Sequence, residues 1–316
     1  MLLALPGCKG AQSALDPAGP EARAVADLHW LMTTGAVGIF ALVAILTIGA
    51  ILIRSDERAP GNEWFVLGLG IAFPVVVLSA LLWHGLSLAR DLVVTGAPAL
   101  RVEVTGEQWW WRVAYLDSKG AVRLADANEI HVPAGATVEV VLNTADVIHS
   151  FWVPSLAGKL DMIPGRTNRF RIAASRPGIY RGQCAEYCGG QHALMAFTVV
   201  ALEPAAFEAW WARSAGDAAA PVTEAERRGA ALFQVQGCGA CHTVRGTEAA
   251  GTVGPDLTRL GSRTTIAAGT FPRNPGTLAG WVASAQHLKP GNRMPSYDRL
   301  EGRQLRDLAA YLESLK

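Results

Sequence analysis

Residues 31–53 contain no charged side chain, and residues 64–89 form a second apolar run interrupted only by Pro74 and His84. Each run exceeds the roughly 20 residues that a helix needs to cross the hydrocarbon core of a bilayer. Inside that core every backbone N–H and C=O must be satisfied within the segment, so these stretches are predicted to be helices. Charge flanks both of them: Asp27 and His29 before the first, Arg54 to Glu63 between them, Arg90 and Asp91 after the second. Two spans return the chain to the side from which it started. The loop Arg54-Ser55-Asp56-Glu57-Arg58 carries mixed charge, so the positive-inside rule gives almost no orientation here. His84 is read as packing or snorkelling near an interface, with no ligand role. A net charge of +1 argues against a nucleic-acid partner, and half of the 316 residues are hydrophobic, as a lipid-embedded portion requires.

From Leu100 the pattern changes to alternation with period two. Arg101-Val102-Glu103-Val104-Thr105, Glu129-Ile130-His131-Val132, Thr137-Val138-Glu139-Val140-Val141-Leu142 and Phe197-Thr198-Val199-Val200-Ala201 read as strands, with turns at Pro133-Ala134-Gly135 and Arg176-Pro177-Gly178. Short strands separated by turn signals predict a β-sandwich or barrel.

The five cysteines do not form a disulfide framework: they fall as Cys184 with Cys188, Cys238 with Cys241, and a lone Cys8. In Gln183-Cys184-Ala185-Glu186-Tyr187-Cys188-Gly189-Gly190-Gln191-His192-Ala193-Leu194-Met195, two thiols, an imidazole and a thioether lie within a dozen residues. Such soft ligands select copper over magnesium or calcium. Two bridging thiolates with a His on each side suit a pair of coppers, and His149 is the obvious second imidazole. The alternatives are a disulfide, a zinc site or two buried thiols. A disulfide across so tight a loop is sterically awkward, and zinc rarely takes Met.

His149 followed by C-x3-C-x3-H-x2-M resembles the dinuclear CuA site of the cytochrome c oxidase subunit II family. Gly106-Glu107-Gln108-Trp109-Trp110-Trp111, Val153-Pro154-Ser155-Leu156 and Lys159-Leu160-Asp161-Met162-Ile163-Pro164-Gly165-Arg166 extend the resemblance across this region. It implies a cupredoxin-type barrel with copper ligands His149, Cys184, Glu186 (by its carbonyl), Cys188, His192 and Met195. It also implies that the Glu186 side chain reaches a magnesium at the boundary with subunit I, that electrons enter at Trp109, and that the 159–166 segment packs on the catalytic subunit. Trp111 reads better as a core aromatic. Glu63 precedes Trp64, but Pro74 lies further downstream than the family's W-x-x-x-P segment, so Glu63 is read as capping a helix start rather than taking up protons.

Downstream, Cys238-Gly239-Ala240-Cys241-His242 is the C-x-x-C-H signature of covalent haem c, with His242 as proximal ligand. A redox dithiol is the alternative, which the adjacent His and the helix before the first Cys disfavour. Gly254-Pro255-Asp256-Leu257 resembles the cytochrome c segment whose Pro carbonyl orients the proximal imidazole. Lys289-Pro290-Gly291-Asn292-Arg293-Met294-Pro295 resembles the segment carrying the distal Met, which falls on Met294. With both axial positions filled, such a haem carries electrons rather than binding oxygen. A terminal helix over residues 302–315 is expected to cross the one over residues 223–233.

The organisation expected is therefore a multidomain chain. Residues 1–27 form an N-terminal segment, 28–99 a two-helix transmembrane hairpin, 100–202 an all-β copper domain, 203–222 a linker whose end (214–221) is a small, polar tether, and 223–316 an all-α cytochrome c domain. Leu5-Pro6-Gly7-Cys8 resembles a bacterial lipobox, which implies lipidation of Cys8, although the run before it is short and lacks a basic start. The resemblance implies an electron-transfer subunit of a proton-translocating haem–copper oxidase in a bacterial inner membrane. Its partners would be subunit I (which bears the oxygen-reducing haem and CuB), subunit III, a soluble or membrane-bound cytochrome or other donor, and the lipid bilayer. Haem attachment and copper thiolate chemistry place both termini and both cofactor domains on the outer side. The competing readings are a subunit of another CuA-containing reductase such as nitric oxide reductase, a membrane-anchored shuttle without a catalytic partner, and a copper-storage protein. Glu186 and the 159–166 segment have no use in a shuttle, and storage gives no reason for a haem.

Overall fold

The computed structural model describes residues 10–52, 63–91 and 97–316. Cys8 and the charged loop at 54–58 lie outside the described residues. The chain divides into two units, residues 23–95 and residues 1–22 with 96–316.

The first unit is apolar helix. Helix α1 (Pro20–Leu52) opens with Pro at its first position, where a missing N–H costs nothing. Its 33 residues rise about 50 Å, more than the hydrocarbon core requires. Helix α2 (Glu63–Phe65) leads through a π-wound stretch, Val66–Ala72, into α3 (Phe73–Asp91). The wide winding sits just ahead of Pro74, whose ring would otherwise press on the carbonyl one turn back. Phe40, Leu52, Trp64 and Trp83 are largely exposed, the arrangement of a helix whose solvent is lipid. Glu63 stands in the first turn of α2.

The second unit begins with a segment clasped to the β-domain. Ala18 N–H donates to the Ser155 carbonyl at 2.6 Å, and Ser175 N–H donates to the Ala18 carbonyl at 2.8 Å. A side chain at Gly19 would run into the carbonyls of Ala173 and Leu156.

Ten strands form two five-stranded sheets. One runs β3 (Val122–Ala127), β2 (Trp110–Leu116), β1 (Leu100–Glu107), β5 (Thr137–Thr144), β8 (Asn168–Ala173). The other runs β4 (Glu129–Pro133), β10 (Ala196–Leu202), β9 (Gly178–Cys184), β6 (His149–Trp152), β7 (Lys159–Met162). The sheets enclose Val104, Trp111, Val113, Leu142, Phe151 and Phe197, all essentially inaccessible. This is the expected two-sheet domain. Trp111 is core, its ring 4.9 Å from Phe197 and 6.3 Å from Phe151 by centroids.

Helix α4 (Pro204–Ser214) lies on this domain, with Trp210 stacked 4.2 Å from His131 and Trp211 edge-on to Tyr115. The stretch after it is not the free tether that its composition suggests. Arg259 donates to the carbonyls of Arg213, Gly216 and Asp217, and Ala218 N–H donates to that of Arg245.

The last domain is helical: α5 (Glu224–Val235), α6 (Pro275–Leu288) and α7 (Gly302–Ser314) around Phe233, Leu278, Val282, Leu308 and Leu312. A small two-stranded hairpin joins them, β11 (Thr265–Ile266) with β12 (Phe271–Pro272). A capping box of Thr223 with Glu226 starts α5. Helix α7 crosses it as expected, at Gly229, where an added Cβ would lie 2.7 Å from the Tyr311 Cβ. The Arg228 guanidinium grips both Asp307 oxygens at 2.8 and 2.9 Å.

Candidate metal centre and haem pocket

Strand register assembles the first site. Strand β9 ends at Cys184, and β6 pairs with it so that Phe151 faces Cys184 and His149 begins the strand beside it. The loop turns back through a 3-10 turn, His192–Leu194, and re-enters the sheet as β10, with Cys184 N–H donating to the Met195 carbonyl at 2.9 Å.

The donors then lie in sequence. His149 Nδ1 is 3.7 Å from Cys184 Sγ, which is 3.7 Å from Cys188 Sγ; Cys188 Sγ is in turn 3.6 Å from His192 Nδ1 and 3.8 Å from Met195 Sδ. The Glu186 carbonyl oxygen lies 3.2 Å from Cys184 Sγ. Both cysteines are free thiols, which removes the disulfide alternative. His149, Cys184, Cys188 and Met195 are buried.

His149 Nε2 donates to Asp146 Oδ1 at 2.8 Å, which fixes the tautomer that leaves Nδ1 bare toward the sulfur. Asp146 also accepts from the N–H groups of Gln108 and Val147, each at 2.7 Å. Burial pushes the His149 pKa down, but Cys184 and Asp146 outweigh it and the net shift is upward. Between the thiols, the hydrogen bond from Cys188 lowers the Cys184 pKa to about 3, while that of Cys188 is pushed upward. Gly106 makes room for this arrangement, because a Cβ there would lie 2.7 Å from His149 Cδ2. Two sulfurs set between two imidazoles, with a thioether and a carbonyl at the flanks, fit soft-metal binding. Among the described residues, no second group of His, Cys, Asp and Glu gathers at metal-holding distance. The Glu186 carboxylate accepts from Tyr187 N–H at 3.3 Å.

The second site is an apolar cavity that opens to solvent. Cys238, Cys241, His242 and Met294 all line it, with Leu278, Val282 and Leu312 as apolar wall. His242 Nδ1 donates to the Pro255 carbonyl at 2.8 Å, which leaves Nε2 for a metal, and burial holds its pKa below the ordinary value. A Cβ at Gly254 would lie 2.6 Å from His242 Cε1. The Met294 loop is braced by Gln286, which donates to the carbonyls of Asn292 and Met294 at 2.6 and 2.7 Å. An apolar chamber with two thiols, a tautomer-fixed imidazole and a thioether on its lining fits haem.

Trp109 links the two sites. Its ring lines the cavity, and its indole N–H donates to the Cys188 carbonyl at 3.0 Å, which Gln108 Nε2 also reaches at 2.8 Å. Sequence alone assigns no role to Asp146, Gln108 or Lys289. Of these, only Asp146, an acid three residues from the candidate ligand His149, leaves a local signal.

The family model described as cytochrome c oxidase subunit II, periplasmic domain, matches residues 116–202, and that for cytochrome c matches residues 226–316. Cytochrome c oxidase subunit 2 of Alkalihalophilus pseudofirmus is 33% identical over 338 residues, covering 100% of this chain and 95% of that protein. The subunit of the same name from Bacillus subtilis is 32% identical, covering 69% of this chain and 63% of its own. Among solved structures, the periplasmic domain of subunit II of cytochrome oxidase (CoxB) of Bradyrhizobium japonicum is 31% identical with a TM-score of 0.36, covering 38% of this chain and 96% of that one. The two matched domains imply copper in the first and haem in the second. With one relative alike along the whole of this chain and 95% of its own, and both domains matched in order, the chain belongs to the cytochrome c oxidase subunit II family.

Proposed function

We propose that this chain is the electron-transfer subunit of a haem–copper oxidase, taking electrons from a donor and delivering them toward an oxygen-reducing centre in subunit I. When bound, haem and copper supply reversible one-electron carriage, chemistry that belongs to the cofactors rather than to any acid or base of the chain. His149, Cys184, Cys188, His192, Met195 and the Glu186 carbonyl would hold a dinuclear CuA. Cys238 and Cys241 would hold haem c by thioether bonds, with His242 and Met294 as its iron ligands, a pairing that favours a high potential. His149, Cys184, Cys188 and Met195 are buried from water, and the bonds that His149 and His242 donate to Asp146 and Pro255 hold these two imidazoles in their ligating tautomers. The Glu186 side chain would complete a magnesium site with ligands from subunit I.

The observation that carries this reading is the direct contact run from haem cavity to copper loop through Trp109, the residue at which electrons enter in the family. The two apolar helices anchor the chain in a membrane, and a periplasmic domain follows from the family. Both termini would lie on that outer side, with subunit III completing the complex and Cys8 as the candidate lipid attachment point. Metal analysis of the purified complex, corrected for subunit I, should give two coppers and one iron for this chain, together with the electron-spin signature of a copper pair sharing one electron. One copper with a blue single-ion spectrum overturns the dinuclear assignment. Reduction of nitric oxide without oxygen consumption overturns the oxidase assignment.

A further inference from the structure

We propose that Lys289 is a positioning residue of the path between the two sites: a buried ammonium that pins the Met294 loop of the haem domain to Trp109 and to the copper loop. Lys289 is 2% exposed. Its Nζ donates to the carbonyls of Trp109 and Leu194, both at 2.8 Å, and of Ala267 at 3.1 Å. The three hydrogens of the ammonium meet three acceptors, two from the copper domain and one from the haem domain. None of the three is a carboxylate, so the cation is held by backbone dipoles alone.

Each acceptor on the copper side marks a functional neighbour. Leu194 precedes Met195, and Trp109 donates its indole N–H to the Cys188 carbonyl. Gly291, two residues after Lys289 and three before Met294, abuts the same indole, since a Cβ there would lie 3.4 Å from Trp109 Cη2 and Cζ3. Gly189 of the copper loop approaches the ring from the other side of the junction, with a Cβ position 3.2 Å from Trp109 Cζ2. Lys289 thus fixes the backbone of the residue that touches both loops.

A buried ammonium is a costly way to glue two domains together. Burial lowers the Lys289 pKa to about 7. Apolar residues of similar size often serve stability as well or better. The domains are also joined elsewhere. Arg263 donates to Asp126 Oδ1 at 2.9 and 2.6 Å with both side chains buried, and Thr264 donates to Glu129 Oε2 from N–H and hydroxyl at 3.0 and 2.7 Å. What Lys289 adds to these bonds is the local registration of Trp109.

The inference rests on the electron-transfer reading above, and the test separates the two. In the purified complex, the haem is photoreduced by a flash and the copper band is followed for parent, Lys289→Met, Lys289→Gln and Thr264→Val. The visible spectrum, the electron-spin spectra and the iron–copper distance distribution are recorded alongside. Lys289→Met should keep both spectra, because Gln286 and Asn292 brace the Met294 loop independently of the ammonium. It should broaden the distance distribution and slow internal transfer by up to roughly a hundred-fold, the scale on which misplacement by about an ångström acts. Lys289→Gln, which retains donors, should fall between, and Thr264→Val should transfer at the parental rate. Should Lys289→Met yield no complex, Lys289→Gln carries the same comparison. A parental rate in the Lys289 variants, loss of the six-coordinate haem spectrum, or equal slowing by Thr264→Val overturns the proposal. If the parent itself shows no haem-to-copper transfer, the electron-transfer reading fails instead.

Discussion

The candidate copper donors follow one another at spacings of 3.6–3.8 Å at the end of a sheet, whereas the candidate haem ligands line a broad apolar cavity. The first site is set by backbone register: β6 beside β9 brings His149 to Cys184, and the return of the loop into β10 brings Met195. The second site is set by what surrounds it. Its wall is the core of a small helical domain, so a haem bound there would itself be a large part of that core. A small ion can be caged by a few hydrogen-bonded residues, while a large flat cofactor needs a domain wrapped around it.

The largest effect is expected from Cys188→Ser. Cys188 neighbours Cys184, His192 and Met195, so the exchange removes the sulfur at the centre of the set. The complex should lose its copper pair and its oxygen consumption, while the haem spectrum stays intact. Retention of two coppers would break the contrast between a register-built and a cavity-built site.

Met294→Ala tests the other half. It should leave copper content unchanged, open the sixth position of the haem and lower its potential, read by visible spectrum and redox titration. An unchanged spectrum and potential would assign the distal ligand to another residue.

Asp146→Asn is the smallest of the three. It weakens the bond that fixes the His149 tautomer, and loss of such a supporting partner typically costs about 10–100-fold in metal affinity. Competition with a copper chelator measures this; an unchanged affinity would show that the sheet alone orients the imidazole.

Both cofactor segments were legible because each is local. C-x3-C-x3-H-x2-M and C-x-x-C-H place most of their donors within one loop, and chemistry demands those residue types at those spacings. The membrane runs were legible for a different reason, that apolar length is itself the requirement. Strands over residues 101–105, 129–132, 137–142 and 197–201 showed through their alternation. The short β6 and β7, four residues each, carry too little pattern to be seen, although β6 delivers His149. Composition suggested a free tether after residue 213, but Arg259 holds that stretch down from a position more than forty residues away.

Taken alone, the sequence determined that this chain has two membrane-length helices, a β-domain with soft-metal ligands and a haem-binding domain, since each follows from periodicity or from ligands close together. Only the tertiary structure decided how the two cofactor domains meet. Lys289, Arg263 and Thr264 reach partners 95 or more positions away, and no local pattern distinguishes them from surface cations and hydroxyls. A backbone carbonyl, the acceptor that Lys289 finds three times, is offered by every residue, so its use is invisible until the fold points it inward.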